Sequence, residues 1–231
     1  MVYITGDTHG GTSKILSMIN RFSMSEDDII IILGDAGYNY YCDERDYITK
    51  DKLKGIKPTI FCIQGNHECR PEHIKSYKTK QWHNGIVWYE DEYPNLLFAR
   101  DGDVFDFCGL KCLVIGGAYS VDKIWRIVRN VNWWPDEQPN DCIKKKCEME
   151  VAAEHIDVVL SHTCPMKYEP TDTFIPGIDQ SAVDKSTEEW LDNIENKLEY
   201  KAWYCGHFHI NRDIEKVHFL FHDIKVLDDI K

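Results

Sequence analysis

The chain has 231 residues, of which 27 are basic and 39 acidic, for a formal charge of −12. Hydrophobic residues make up 43% and charged residues 29%, an ordinary globular balance that excludes a disordered tail, a collagen and a coiled coil. The acid excess disfavours nucleic acid as a partner, because such binding rests on basic patches, and the run Lys144-Lys145-Lys146 reads as a solvated helix face.

Short apolar runs at residues 2–5, 29–33 and 59–63 each end at a glycine, as buried strands do. Helix-like segments at 12–22 and 43–54 separate them, which predicts parallel βαβ units. Residues 96–100, 103–107 and 110–115, joined at Asp101-Gly102 and Cys108-Gly109, predict an antiparallel meander. A helix over 140–155, a strand over 158–160, a helix over 186–198 and a strand over 202–205 follow. The stretch 213–227 alternates enough for two strands. No linker or repeat interrupts the series, so residues 1–231 read as a single α/β domain with mixed sheets and helices outside.

Nine cysteines, an odd number without a C-x-x-C pair, argue against a disulfide framework. Cys62, Cys108, Cys112 and Cys205 lie in apolar strand-like runs, where cysteine behaves as a small core residue. Together with an N-terminus that runs straight into a motif, this predicts a cytoplasmic protein. No apolar stretch reaches membrane-spanning length, so no membrane is expected as a partner.

Polar residues cluster immediately after the strand-like runs: Asp7 and His9, Asp35, Asn66-His67-Glu68, His162, then His207 and His209. Ligands of open α/β sheets gather at the carboxyl ends of strands. Asp7 and His9 are two apart, as are His207 and His209, and in extended backbone such pairs project to one side. The adjoining glycines permit sharp turns or close approach. Imidazole with carboxylate suits Mn, Fe or Zn, whereas an all-oxygen site would point to Mg or Ca. The candidate ligands are too many for one ion with open positions and suit two ions sharing a carboxylate.

The ordered blocks D-x-H, G-D, G-N-H-E, H and G-H-x-H, spanning Asp7 to His209, resemble the calcineurin-like metallophosphoesterase superfamily. The resemblance implies two packed mixed β-sheets flanked by helices, a four-layer α/β/β/α sandwich. It implies that Asp7, His9 and His209 bind one metal ion, that Asn66, His162 and His207 bind a second, and that Asp35 bridges them. His67 is implied to face the substrate and assist the leaving group. Two divalent ions against two carboxylates and a hydroxide leave a formal charge of about +1, enough to attract a phosphate oxyanion to an acidic protein. The reaction implied is hydrolysis of phosphate mono- or diesters by a metal-bound hydroxide, without a covalent intermediate.

Each ligand alone reads more readily as a helix cap or turn residue; their ordered conjunction favours the metal site. Alternatives are a non-catalytic scaffold of the same fold, which a lost ligand would favour, and a nuclease, which would want a basic groove. The protein Ser/Thr phosphatase branch carries two arginines absent here: the second block continues Ala36-Gly37-Tyr38-Asn39-Tyr40, and Gln64 precedes Gly65. Substrates therefore range from small phosphate esters to phosphoproteins. Arg70, Lys123 and Arg126 are candidate phosphate contacts, Glu68 orients His67 or serves structure, and residues 38–46 and 125–139 are candidate specificity loops. Residues 117–123 and Asp179-Gln180-Ser181 are candidates for lining the cleft. The Trp133-Trp134-Pro135 cluster is of functional interest, with core packing as its alternative, just as a solvated helix face is for Lys123 and Arg126; Cys164 reads as a strand-end cysteine, His218 and His222 as structural, and His73, His83 and His155 as surface residues.

Overall fold

The computed structural model describes residues 1–230. Strands β1 (Val2–Thr5), β2 (Ile29–Ile32) and β3 (Thr59–Cys62) pair in parallel register, connected through α1 (Thr12–Phe22) and α2 (Glu44–Asp51). Their side chains alternate between two apolar environments, as the strand period of two requires. Ile29, Ile31 and Leu33 enter the core between the sheets, whereas Ile30 and Ile32 pack with Ile15 and Met18 of α1. A strand buried on both faces has no polar side, which is why β2 is a run of four isoleucines.

The next elements depart from the sequence expectation. Strands β4 (Lys78–Trp82) and β5 (Gly85–Tyr89) form a hairpin, and β5 pairs with β6 (Leu96–Ala99), which is also parallel to β3. Both edges of β6 are thus filled, and no meander with the following strand forms. The chain crosses at Asp101-Gly102 into the second sheet, where β7 (Val104–Phe107) pairs only with β8 (Leu110–Ile115). Asp101 anchors the crossing by accepting from Gly116 N at 2.9 Å and Arg70 Nη1 at 2.6 Å. Cys108 sits in the β7–β8 turn at φ 56°, not in a strand.

After α3 (Lys123–Arg129) and α4 (Asp141–Ala153), strand β9 (Val158–Ser161) joins β8 in parallel. Asn140 caps α4 by accepting from the Cys142 and Ile143 amides. Helix α5 (Ser186–Glu195) leads to β10 (Ala202–Cys205), parallel to β9. The C-terminal stretch forms three strands rather than two. β11 (Arg212–Ile214) and β12 (Val217–Phe219) extend the second sheet, and β13 (Ile224–Val226) returns to the first, antiparallel to β1.

The result is a seven-stranded mixed sheet, β13-β1-β2-β3-β6-β5-β4, packed on a six-stranded mixed sheet, β11-β12-β10-β9-β8-β7. The second sheet's outer face carries Leu113, Val159 and Trp203 against Cys147 of α4 and Leu191 and Ile194 of α5. This is the four-layer α/β/β/α arrangement. Cys164 is buried, and among the described residues no helix is long and apolar enough to cross a membrane.

Candidate metal centre

Every predicted ligand lies in a loop that leaves the carboxyl end of a parallel strand. Asp7 and His9 follow β1, Asp35 follows β2, and Asn66 and His67 follow β3. His162 follows β9, and His207 and His209 follow β10. The first three loops belong to one sheet and the last two to the other, so the side chains meet across the seam.

One group collects Asp7, His9 and His209, whose ligand atoms lie within 4.8 Å of one another. His9 Nε2 and His209 Nε2 face each other at 2.9 Å. Asp7 is buried; its Oδ1 accepts from His207 N at 3.0 Å. Its Oδ2, 3.2 Å from His209 Nε2, has no hydrogen bond among the described residues. Burial raises the Asp7 pKa, and His209 and His162 more than offset it, so the group is held below its ordinary value.

A second group surrounds Asn66 Oδ1, with His162 Nε2 at 2.8 Å and His207 Nδ1 at 3.1 Å. Asn66 Nδ2 donates to Ser120 Oγ at 2.9 Å, which turns Oδ1 inward. His162 Nδ1 lies 2.7 Å from the Leu33 carbonyl, which can only accept, so Nδ1 carries a proton and Nε2 is the nitrogen turned toward Asn66. His207 is pushed down to about 3 by burial and by His162, and is a neutral imidazole at physiological pH. Three potential ligand atoms thus converge in a buried place, where a cation would offset the cost of their desolvation.

Asp35 reaches both groups. Its Oδ2 is 4.0 Å from His9 Nδ1 and its Oδ1 is 3.8 Å from His162 Nε2, while Oδ1 also accepts from His67 N at 2.8 Å. Although burial raises it, the surrounding histidines, His162 first, hold Asp35 well below the usual carboxylate range. Two buried carboxylates, an orphaned oxygen and converging imidazole nitrogens fit the demands of two divalent cations.

The backbone does this differently from the extended pairs expected. His9, Asp35, His207 and His209 have φ of 45°, 46°, 64° and 53°, the left-handed region that side chains rarely adopt. Strain of this kind concentrates at functional sites. The glycines act chiefly by absence. A Cβ on Gly65 would sit 2.0 Å from Asp35 Oδ1 and 2.1 Å from Asp35 N, and one on Gly206 would sit 2.3 Å from Asp7 Oδ1. Gly65→Ala is therefore expected to displace Asp35, destabilise the fold by about 1–3 kcal/mol and reduce bound metal. Denaturant unfolding and elemental analysis check this; a variant with wild-type metal content refutes the close-approach argument.

His67 lies beside the ligands with Nδ1 3.2 Å from Asp35 Oδ2 and Nε2 3.6 Å from Asp122 Oδ1. Burial lowers its pKa, but Asp122 and Asp35 outweigh it and lift the imidazole to about 9. Asp122 was missed in the sequence, although the segment 117–123 pointed to the right turn. The neighbouring cations do not line the cleft. Arg126 is buried, holds Asp122 through Nε at 2.8 Å, and gives Nη1 to Tyr40 OH and the Asn132 carbonyl. Lys123 Nζ lies 4.5 Å above the Trp133 ring. Arg70 is buried on Asp101 and Asp136. Glu68 does not orient His67: it is buried, accepts from Gly65 N at 3.0 Å and Gly37 N at 3.2 Å, and laces the Asp35 loop to the Asn66 loop.

The cleft over the centre has a volume of about 380 Å³. Of the candidate lining segments, Tyr119, Val121, Asp122 and Gln180 do line it, but nothing from 38–46 or 125–139 does. Residues 123–129 are helical, and the wall comes instead from 169–185, including Phe174, Ile178 and Val183. The signal available was the length of the β9–α5 connection, since long loops in compact domains usually serve a function.

Comparison with curated proteins finds no match. The calcineurin-like phosphoesterase family matches residues 1–211, a span that includes every loop of the centre. On that match, the chain belongs to the calcineurin-like phosphoesterase family.

Proposed function

We propose that the protein hydrolyses phosphate mono- or diesters with two metal ions, from among Mn, Fe and Zn. Asp7, His9 and His209 hold one, Asn66, His162 and His207 the other, and Asp35 both. The observation that carries this is the convergence of acceptor atoms into two groups with Asp35 within reach of each. When bound, the ions supply Lewis-acid charge and acidify a water. The chain's own part is to fix geometry and manage protons. Leu33 O sets the His162 tautomer, Glu68 ties two ligand loops together, and Asp122, braced by Arg126, positions His67 and keeps it protonated for the departing alkoxide.

No candidate ligand is missing, which supports an enzyme over a scaffold. The cleft wall holds a single lysine, Lys185, already paired with Glu169, which supports small esters over a nucleic-acid backbone. The test is a Mn²⁺-supplemented panel of p-nitrophenyl phosphate, bis-p-nitrophenyl phosphate, nucleotides and a phosphopeptide. Wild type is expected to hydrolyse at least one, and Asp35→Ala to lose both activity and metal content. Two ions retained in Asp35→Ala would remove the bridging role.

A further inference from the structure

We propose that the cleft selects a phosphate ester whose organic group is apolar and carries no second anion. The inference rests on the hydrolase reading and names its substrate class. The cleft is lined by Asp35, Asn66, His67, His207 and His209 of the centre together with the apolar side chains of Val121, Phe174, Ile175, Ile178, Val183 and Phe208. Its volume lies in the roughly 300–1,000 Å³ range of small-molecule sites.

The charged groups in this wall are already spoken for. Lys185 Nζ donates to Glu169 at 2.6 Å. Asp184 accepts from Ser186 N and Gln138 Nε2, both at 3.0 Å. Glu188 accepts from the Thr163 hydroxyl at 2.8 Å, and Asp122 takes Arg126. Among the described residues that line the cleft no cation is left for a second phosphate, and the acids would repel one. What remains to be covered is hydrocarbon: burying it against an apolar substituent removes both surfaces from water.

The test uses the Mn²⁺-loaded full chain with ethyl, butyl and hexyl phosphate, whose leaving alcohols differ little in acidity. The expected result is a kcat/KM that rises about fourfold for each methylene that enters the cleft. Phe174→Ala and Ile178→Ala are expected to flatten that slope. Phosphocholine, AMP and ADP should all be poorer than hexyl phosphate. A flat chain-length series, or preference for phosphocholine or ADP, overturns the proposal.

Calorimetry with hexylphosphonate and methylphosphonate reads binding without turnover. Tighter binding of the hexyl compound with a more negative heat-capacity change supports the proposal; equal affinities overturn it. If no ester is hydrolysed, the hydrolase reading fails, and the phosphonate pair still decides the character of the cleft.

Discussion

Replacing His67 with alanine lowers kcat on an alkyl phosphate by about 10²–10⁴-fold, with metal content at the wild-type level. The second half of that expectation separates His67 from the candidate ligands: its Nε2 lies 3.6 Å from Asp122, while its Nδ1 lies in reach of Asp35 and His9, so retained metal content is what sets the acid apart from a ligand. The loss should shrink for p-nitrophenyl phosphate, whose leaving group departs without a proton. The pH profile carries the sign. A histidine acting as acid must be protonated, so activity is present below its pKa and lost as pH rises through it. Bound cations beside Asp35 oppose the upward shift seen without them, whereas Asp122 stands outside the ligand set and keeps raising it. Asp122→Asn should thus move the alkaline limb to lower pH. An equal loss for alkyl and nitrophenyl esters would remove His67 from proton transfer.

Lys50→Met should destabilise the protein by about 3–5 kcal/mol in denaturant unfolding. Lys50 lies on α2 with its ammonium buried, 2.6 Å from Glu90 Oε2 and 3.2 Å from Tyr77 OH. Removing it leaves the Glu90 carboxylate in the interior without a counter-charge. The consequence reaches the metal centre, because Tyr77 OH donates to Asn39 Oδ1 at 2.9 Å and Asn39 O accepts from Cys69 N at 3.0 Å. That chain of bonds holds the segment after Asp35 against the segment after Asn66. The double variant Lys50→Met with Glu90→Leu should recover most of the loss, since an apolar pair of similar volume often replaces a buried ion pair at little cost. A single variant within 1 kcal/mol of wild type would mean that water reaches Glu90.

Lys50 also shows where sequence reading stops. A lysine between acids in a short helix looks like a solvated cation, and nothing local says that Glu90 and Tyr77 close over it. Arg126 misleads in the same way. The parallel strands were legible because burial on both faces leaves an unbroken apolar run, and the ligands because each run stops at a polar turn. The β4–β5 hairpin was overlooked because its outer strand is exposed and polar, although its two-residue loop, His83-Asn84, has φ of 46° and 74°, the left-handed pair of a tight hairpin turn, with Gly85 following as the first residue of β5. Missing that hairpin left β6 with a free edge and produced the false meander. Asp122 and the wall at 169–185 depend on contacts between distant segments, which no periodicity encodes.

The pairing of β1 with β13 and the spread of the centre from Asp7 to His209 also govern how the protein comes into being. During translation at about 5–20 residues per second, β1, β2 and β3 emerge long before β9 and β10, whose sheet covers their inner faces. Until then the isoleucine-rich faces stand open to water, which makes the nascent chain a natural client for chaperones. The same order means that a truncated product ending before His207 lacks a member of each candidate ligand group, so on the proposed function it would be inactive.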